Sequence, residues 1–197
     1  MIGRTIEELS VGDAAELSRL VVAADLVEFV DAVGDRNPIH SDPAFAARTP
    51  FRKPIAPGIW TAALISAVIG MRLPGPGSIY EAQELRFHRP VKVGDTIAAR
   101  VEVVEFRRER NRVRLKTTCL NQDGEEVLSG EAWVLPPKSS VRYEDDRTGI
   151  ARLAFWALQP WACAARALAF WWTLGASALA LGFGSASGRT GAPLSLH

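Results

Sequence analysis

Residues 58–71 read Gly-Ile-Trp-Thr-Ala-Ala-Leu-Ile-Ser-Ala-Val-Ile-Gly-Met and contain no charged side chain. Thr61 and Ser66 are the only polar residues in this run. A helix that is apolar on nearly every side has to be buried. The proline- and glycine-rich segment 73–78 then breaks the helical pattern. The sequence therefore predicts a buried central helix over residues 58–71.

Downstream of this helix, apolar side chains recur at every second position, which is the period of a β-strand. Four strands are predicted, over residues 85–87, 97–103, 113–119 and 128–134. Short turn-forming segments separate them, so neighbouring strands are expected to pair antiparallel. A buried helix and an antiparallel sheet that wraps around it make an α+β domain. One such sheet leaves open edges and an uncovered face, which predicts a homodimer.

Upstream of the helix, apolar residues at three- and four-residue intervals predict an amphipathic helix over 23–33. Gly34 follows it as a natural C-terminal cap. Asp42 and Pro43 form an N-cap and first-turn pair for a second, short helix ending near residue 48. Residues 35–42 therefore form a loop between two helices, and a short strand is expected within 11–20.

Asp35 and His40 lie five positions apart on this loop. A loop fixed at both ends by helices can hold a carboxylate and an imidazole toward one point, which suits a general acid/base pair acting on one water molecule. Asp and Asn before a proline also make ordinary turns, and a lone histidine in a loop is often only a hydrogen-bonded polar group. The spacing alone leaves both interpretations open.

Gly58 stands at the start of the charge-free helix, directly after Pro57. A ligand carbonyl can approach a helix N-terminus closely at a glycine, where free N–H groups and the helix dipole favour negative charge. The alternative is a Pro-Gly turn that merely begins a core helix.

Residues 29–40 read Phe-Val-Asp-Ala-Val-Gly-Asp-Arg-Asn-Pro-Ile-His, and this segment resembles the signature of the MaoC-like (R)-specific enoyl-CoA hydratases. Further segments resemble landmarks of the same family in the same order, namely residues 54–59, 73–78, 87–96 and 129–132. The likeness extends from residue 10 to about residue 136. It implies the hotdog fold, in which an antiparallel sheet wraps a long central helix.

The resemblance also implies roles for individual residues. The catalytic aspartate and histidine of the family correspond to Asp35 and His40, and the oxyanion glycine corresponds to Gly58. Two further positions match substrate-binding residues: Asn37, which would brace the loop, and Ser66, which would line the pocket. The chain departs from the pattern at Pro57, because many members have a histidine there and proline lacks an N–H.

The reaction that the resemblance implies is the reversible hydration of a trans-2-enoyl-CoA to the (R)-3-hydroxyacyl-CoA. The uncharged helix would supply an apolar floor for the acyl chain. No cofactor is expected apart from the coenzyme A of the substrate. Two alternatives stay open: a related dehydratase or thioesterase acting on another acyl carrier, and a non-catalytic hotdog subunit that binds acyl groups or a partner.

Composition excludes several other classes of protein. The 23 basic and 22 acidic residues leave a formal charge of +1, so no basic surface indicates a nucleic-acid partner. Two cysteines and three histidines cannot supply a zinc cluster or a disulfide framework, so no metal is expected. The N-terminus lacks a basic region followed by an apolar run, so we expect a cytoplasmic protein.

Charge also divides the chain. All 22 acidic residues lie in the first 148 positions, and four of the six tryptophans follow them. We therefore predict a folded domain over 1–138, a polar linker over 139–148 and an apolar tail over 149–197. Residues 167–184 of the tail carry no charge and are long enough to cross a membrane. An association segment, or an appended sequence without a fold of its own, is the alternative.

Overall fold

The computed structural model describes residues 1–144 as a five-stranded antiparallel sheet packed against one long helix. The helices are α1 (Ala23–Val33), α2 (Pro43–Ala46) and α3 (Gly58–Met71). The strands are β1 (Ile2–Gly3), β2 (Ala14–Leu20), β3 (Ile79–Phe87), β4 (Thr96–Arg107), β5 (Arg112–Leu120), β6 (Glu126–Leu135) and β7 (Val141–Arg142). Single 3₁₀ turns occur at Ile6–Glu8 and Arg108–Arg110. This arrangement confirms the predicted α+β hotdog architecture.

The helices begin and end where the local sequence predicts. Gly34 adopts the left-handed conformation, with φ of 72°, and its N–H caps α1. The Asp42 carboxylate accepts hydrogen bonds from the N–H groups of Ala44 and Phe45, which fixes the first turn of α2. Helix α3 spans the predicted 14 residues, starting at Gly58.

The strand order in the sheet is β2-β4-β5-β6-β3. The expected pairing of neighbours is confirmed for β4 with β5 and for β5 with β6. It is wrong for β3, which pairs with β6 at the far edge of the sheet.

The connection between β3 and β4 explains this difference. Its residues 88–91 bond to other parts of the chain, and a tight turn follows at residues 92–95, where the Asp95 N–H donates to the Lys92 carbonyl at 3.1 Å. The His88 N–H donates to the carbonyl of Val127 at 3.0 Å, and the carbonyl of Val91 accepts the Ala56 N–H at 2.8 Å. These contacts direct the chain across the domain instead of back along β3.

The core lies between one face of the sheet and one face of α3. Ile65 and Val68 of the helix are fully buried against inward-facing residues of the strands, such as Val101, Leu115 and Leu128. The opposite face of α3, with Ile59, Ala63, Ser66 and Gly70, is exposed in the single chain. The expectation that the whole helix is buried is therefore wrong for one chain, because one sheet covers only one side of a helix.

The two short strands lie outside the main sheet. β1 pairs antiparallel with β7, which lies within the segment 139–148 that the sequence assigns to a linker. This part of the linker assignment is corrected, because main-chain pairing with the N-terminus holds residues 141–142 in the domain. The apolar tail and its candidate membrane segment lie outside the described residues. None of the helices between residues 1 and 144 has the length and hydrophobicity needed to cross a bilayer.

Candidate active site

The loop between α1 and α2 is held by hydrogen bonds among its own residues. The Asp35 N–H donates to the carbonyl of Val30 at 2.9 Å, which ties the loop to the last turn of α1. Asp35 Oδ1 accepts the N–H of Asn37 at 2.9 Å, and Asn37 Oδ1 accepts the N–H of Ile39 at 3.3 Å. These bonds are the side-chain turns that Asp and Asn typically make, and here they fix the direction of the Asp35 carboxylate.

His40 and Asp35 face each other across a short gap. His40 Nε2 lies 3.7 Å from Asp35 Oδ2, a separation too long for a direct hydrogen bond and suited to a bridging water. His40 Nδ1 lies 2.8 Å from the carbonyl oxygen of Ile55. Because a carbonyl only accepts, Nδ1 carries the proton and Nε2 of the neutral ring is the acceptor.

His40 lines a cavity of about 480 Å³ next to the start of α3. Its walls are mostly apolar and include Phe51, Ile55, Ala56, Ile59, Phe87, Pro90, Val91 and Val127. The polar residues that line it are His40, Thr61, His88 and Arg89. The volume and the few polar groups in an apolar wall are typical of a small-molecule site.

Gly58 lines the same cavity as His40. It is the first residue of α3, and within residues 1–144 no hydrogen bond uses its N–H. The sequence predicts that this glycine lets a ligand carbonyl approach the helix N-terminus. In the structure, a Cβ at this position would lie 2.8 Å from Cε1 of Phe87, so the glycine makes room for an aromatic ring of the cavity wall.

Other site residues predicted from the sequence lie outside the cavity wall. Asn37 is hydrogen-bonded within its loop and Ser66 is exposed on the outward face of α3. Of α3, only Gly58, Ile59 and Thr61 line the cavity, so the predicted apolar floor is limited to the first turn of the helix. The reason is that the sheet covers one side of the helix and the cavity lies at its N-terminal end. Pro57 precedes the helix and leaves its start at Gly58 unchanged.

His88 lines the cavity, although it is not among the site residues predicted from the sequence. His88 follows β3, and its Nε2 lies 2.7 Å from Ser129 Oγ and 3.2 Å from Glu126 Oε1. Both partners are on β6, which the sequence does not place beside β3. The cavity position of His88 therefore depends on a strand pairing that local patterns do not reveal. Within residues 1–144, no three His, Cys, Asp or Glu side chains are arranged to hold a metal ion.

Comparison with known proteins identifies a family and several relatives. The family model described as "MaoC like domain" matches residues 9–124. A 3-hydroxybutyryl-CoA dehydratase of Methylorubrum extorquens is 52% identical over 67% of this chain and 83% of that protein. An (R)-specific enoyl-CoA hydratase of Aeromonas caviae is 44% identical over 66% of this chain and 98% of that protein.

A solved structure shows the same fold. The unliganded R-hydratase of Pseudomonas aeruginosa superposes with a TM-score of 0.68 and 44% sequence identity, covering 73% of this chain and 94% of that one. Hydratases and dehydratases of this kind are hydro-lyases, and the chain is an enzyme of that class. Because the family model matches more than half of its length and two relatives exceed 40% identity, the chain belongs to the MaoC-like family.

Proposed function

We propose that the chain catalyses the reversible, (R)-specific hydration of a trans-2-enoyl-CoA to the (R)-3-hydroxyacyl-CoA. The observation that carries the proposal is the 3.7 Å gap between His40 Nε2 and Asp35 Oδ2 beside a cavity that Gly58 also lines. The stereochemistry and the coenzyme A carrier rest on the relatives, which include an (R)-specific enoyl-CoA hydratase and a 3-hydroxybutyryl-CoA dehydratase.

The gap between the two side chains suits a single water molecule. A water bridging Nε2 and Oδ2 meets two acceptors, and either one can take a proton as the water oxygen bonds to C3. The enzyme then returns a proton to C2, so that the net change is addition of one water across the double bond. No redox change occurs, and the proposal needs no cofactor beyond the coenzyme A of the substrate.

Attack at C3 moves negative charge onto the thioester oxygen. The Gly58 N–H lies at the positive end of α3 and has no hydrogen-bond partner within residues 1–144, and it is the donor proposed to meet that charge. A donor held in place by the helix needs little reorganisation during the reaction, which is the main advantage of such a site. Asn37 acts in this proposal by fixing the Asp35 carboxylate through the loop.

The cavity wall supports an apolar acyl group next to the reacting atoms. Phe51, Ile59 and Phe87 present large apolar surfaces to the cavity, and Phe87 and Ile59 are more than half exposed in the single chain. Such surfaces gain stability when a ligand or a second chain removes them from water.

The proposed enzyme acts as a homodimer. β3 is an edge strand whose outer side pairs with no strand among the described residues, and Ile79 and Phe87 on it are exposed. The outward face of α3 adds Ile59 and the small residues Ala63 and Ser66 to the uncovered surface. A second copy covering both features would bury Ser66.

The test is a direct assay. The full chain mixed with crotonyl-CoA is expected to remove the ultraviolet absorbance of the enoyl group without releasing free thiol, and chiral analysis should find the (R)-3-hydroxy product. Thiol release would identify a thioesterase instead. If only enoyl groups on acyl carrier protein are hydrated, the proposed coenzyme A carrier is wrong. If neither substrate is consumed, a non-catalytic acyl-binding subunit is favoured.

A further inference from the structure

Two threonines in the described part of the chain are almost completely buried, and their hydroxyl groups differ. Thr117 is 0% exposed and its Oγ1 accepts a hydrogen bond from Gln83 Nε2 at 3.1 Å. Thr61 is 2% exposed, and its hydroxyl has no hydrogen-bond partner within residues 1–144. Buried hydroxyls are normally hydrogen-bonded, because an unpaired one costs about 1–3 kcal/mol. The Thr61 hydroxyl therefore requires an explanation.

The position of Thr61 explains its hydroxyl. Thr61 follows Gly58 by three residues, so both lie on the same face of the first turns of α3, and both line the cavity that contains His40. Helical side chains lean toward the N-terminus, which places the Thr61 side chain over the turn that contains Gly58. Among the described residues that are not exposed, Arg114 Nε is the one side-chain nitrogen or oxygen that is inaccessible to solvent and also lacks a hydrogen-bond partner. Thr61 Oγ1 lacks a partner there as well but is not such an atom, so part of its surface is accessible to solvent.

The open space that Thr61 lines is this cavity. The backbone of the same turn is held from the core side, where Cys119 Sγ lies 4.0 Å from the Thr61 carbonyl oxygen. A hydroxyl on a fixed helix turn is positioned before a ligand arrives, and its O–H can rotate toward an acceptor.

We propose that the Thr61 hydroxyl is a second hydrogen-bond donor to the thioester oxygen of the substrate, beside the Gly58 amide. This inference rests on the proposed hydratase function. Its chemistry is that of an oxyanion site with two donors, in which the enolate-like oxygen accepts one hydrogen bond from the backbone and one from the side chain. The hydroxyl, which has no partner within residues 1–144, would then bond to the bound substrate.

The first test is the nearly isosteric variant Thr61→Val. We expect kcat/KM for crotonyl-CoA to fall about 10- to 100-fold, because removal of one oxyanion donor typically slows catalysis by that order or more. The midpoint of thermal unfolding should stay the same or rise, since the variant removes a hydroxyl that bonds to no group within residues 1–144. Thr61→Ser, which keeps the hydroxyl, should recover most of the lost rate.

The matched control is Thr117→Val. It changes the other buried threonine, whose hydroxyl already has a partner in Gln83. This variant should unfold at a lower temperature because it removes one of the two acceptors of the Gln83 amide N–H groups, the other being the Glu84 carbonyl. Its kcat/KM should stay close to that of the unchanged chain. Thr117→Val is thus expected to lower stability and keep activity, whereas Thr61→Val is expected to lower activity and keep stability.

A binding measurement tests the contact without turnover. Acetoacetyl-CoA has an enolate form with its own ultraviolet absorbance, and two donors at the thioester oxygen should increase the enolate fraction on binding. The increase should be smaller with Thr61→Val and restored with Thr61→Ser.

The inference is overturned if Thr61→Val hydrates crotonyl-CoA at the unchanged rate. It is also overturned if the rate falls together with stability while the bound enolate fraction stays constant. If the unchanged chain does not hydrate crotonyl-CoA, the proposed function fails separately, and the enolate measurement still decides whether Thr61 contacts the thioester.

Discussion

His40 and Asp35 owe their relative orientation to hydrogen bonds that use the other atoms of each side chain. His40 Nδ1 donates a hydrogen bond to the Ile55 carbonyl, and Asp35 Oδ1 accepts one from the Asn37 N–H. His40 Nε2 and Asp35 Oδ2 are left facing each other. The variants His40→Gln and Asp35→Asn should therefore keep the loop and lose the proton acceptors.

We expect each of these substitutions to reduce kcat for crotonyl-CoA hydration by about two to four orders of magnitude. Asp35→Asn retains a side-chain oxygen for the Asn37 N–H, so its unfolding midpoint should remain within a few degrees of the original. Rates within threefold of the unchanged chain would reject the assignment of acid/base roles to this pair.

Cys119 illustrates a different effect of burial on a single residue. It lies on β5 with 0% exposure, and burial raises the pKa of its thiol to about 12. In the unfolded chain the pKa of the thiol lies near its ordinary value of 9.0. Above that pH the unfolded state releases a proton that the folded state retains, so the free energy of unfolding falls as pH rises toward 12.

The variant Cys119→Ala removes this dependence. Between pH values of about 9 and 10.5, urea unfolding should show a steeper loss of stability for the unchanged chain than for Cys119→Ala, with a difference approaching about 1.4 kcal/mol per pH unit. Cys163 is present in both proteins and cancels in the comparison. Parallel stability curves would show that the Cys119 thiol titrates normally in the folded state.

At the scale of secondary-structure elements, the contact between the start of α3 and the end of β3 shapes the cavity. A Cβ at Gly58 would lie 2.8 Å from the Phe87 ring, so Gly58→Ala requires the ring to move. The ring is 52% exposed in the single chain and belongs to a side chain that can change rotamer, which predicts little loss of stability. Its displacement changes the cavity wall, and we expect kcat/KM to fall on the order of tenfold, about 1.4 kcal/mol.

A double-mutant cycle tests this coupling. Phe87→Leu provides space for the added methyl group, so Gly58→Ala should cost less activity in the Phe87→Leu background than in the unchanged chain. An equal cost in both backgrounds would mean that the two elements do not interact through this contact.

At the scale of the whole molecule, residues 1–144 leave the β3 edge without a paired strand and one face of α3 exposed, and the proposed homodimer covers both. The full chain should have twice the mass of one 21.4 kDa chain when measured by light scattering after gel filtration. Ile79→Lys, on the free edge of β3, should shift the protein toward the monomer, because lysine on an edge strand opposes strand pairing.

Val11→Lys is the control for this variant. Val11 is 65% exposed in the turn before β2, away from β3 and α3, and its substitution should leave the mass unchanged. A monomeric full chain, or a dimer that Ile79→Lys does not weaken, would contradict an interface at the β3 edge.

The sequence alone predicted the features that depend on neighbouring residues. The period of the apolar side chains placed α1 and the strands β3 to β6, and the absence of charge placed α3. Turn chemistry at Gly34 and Asp42 delimited the loop that carries Asp35 and His40. These features are predictable because helix periodicity, capping and strand alternation act over a few residues.

Tertiary structure determined what depends on contacts between distant segments. These are the pairing of β3 with β6, the packing of Phe87 on Gly58, and a cavity whose walls come from several separate parts of the chain. The unpaired hydroxyl of Thr61 belongs with them, since the sequence shows a threonine on an apolar helix and only the fold shows which groups surround it. Local periodicity carries no information about which strand crosses to the opposite edge of the sheet, because that choice depends on packing of the whole chain.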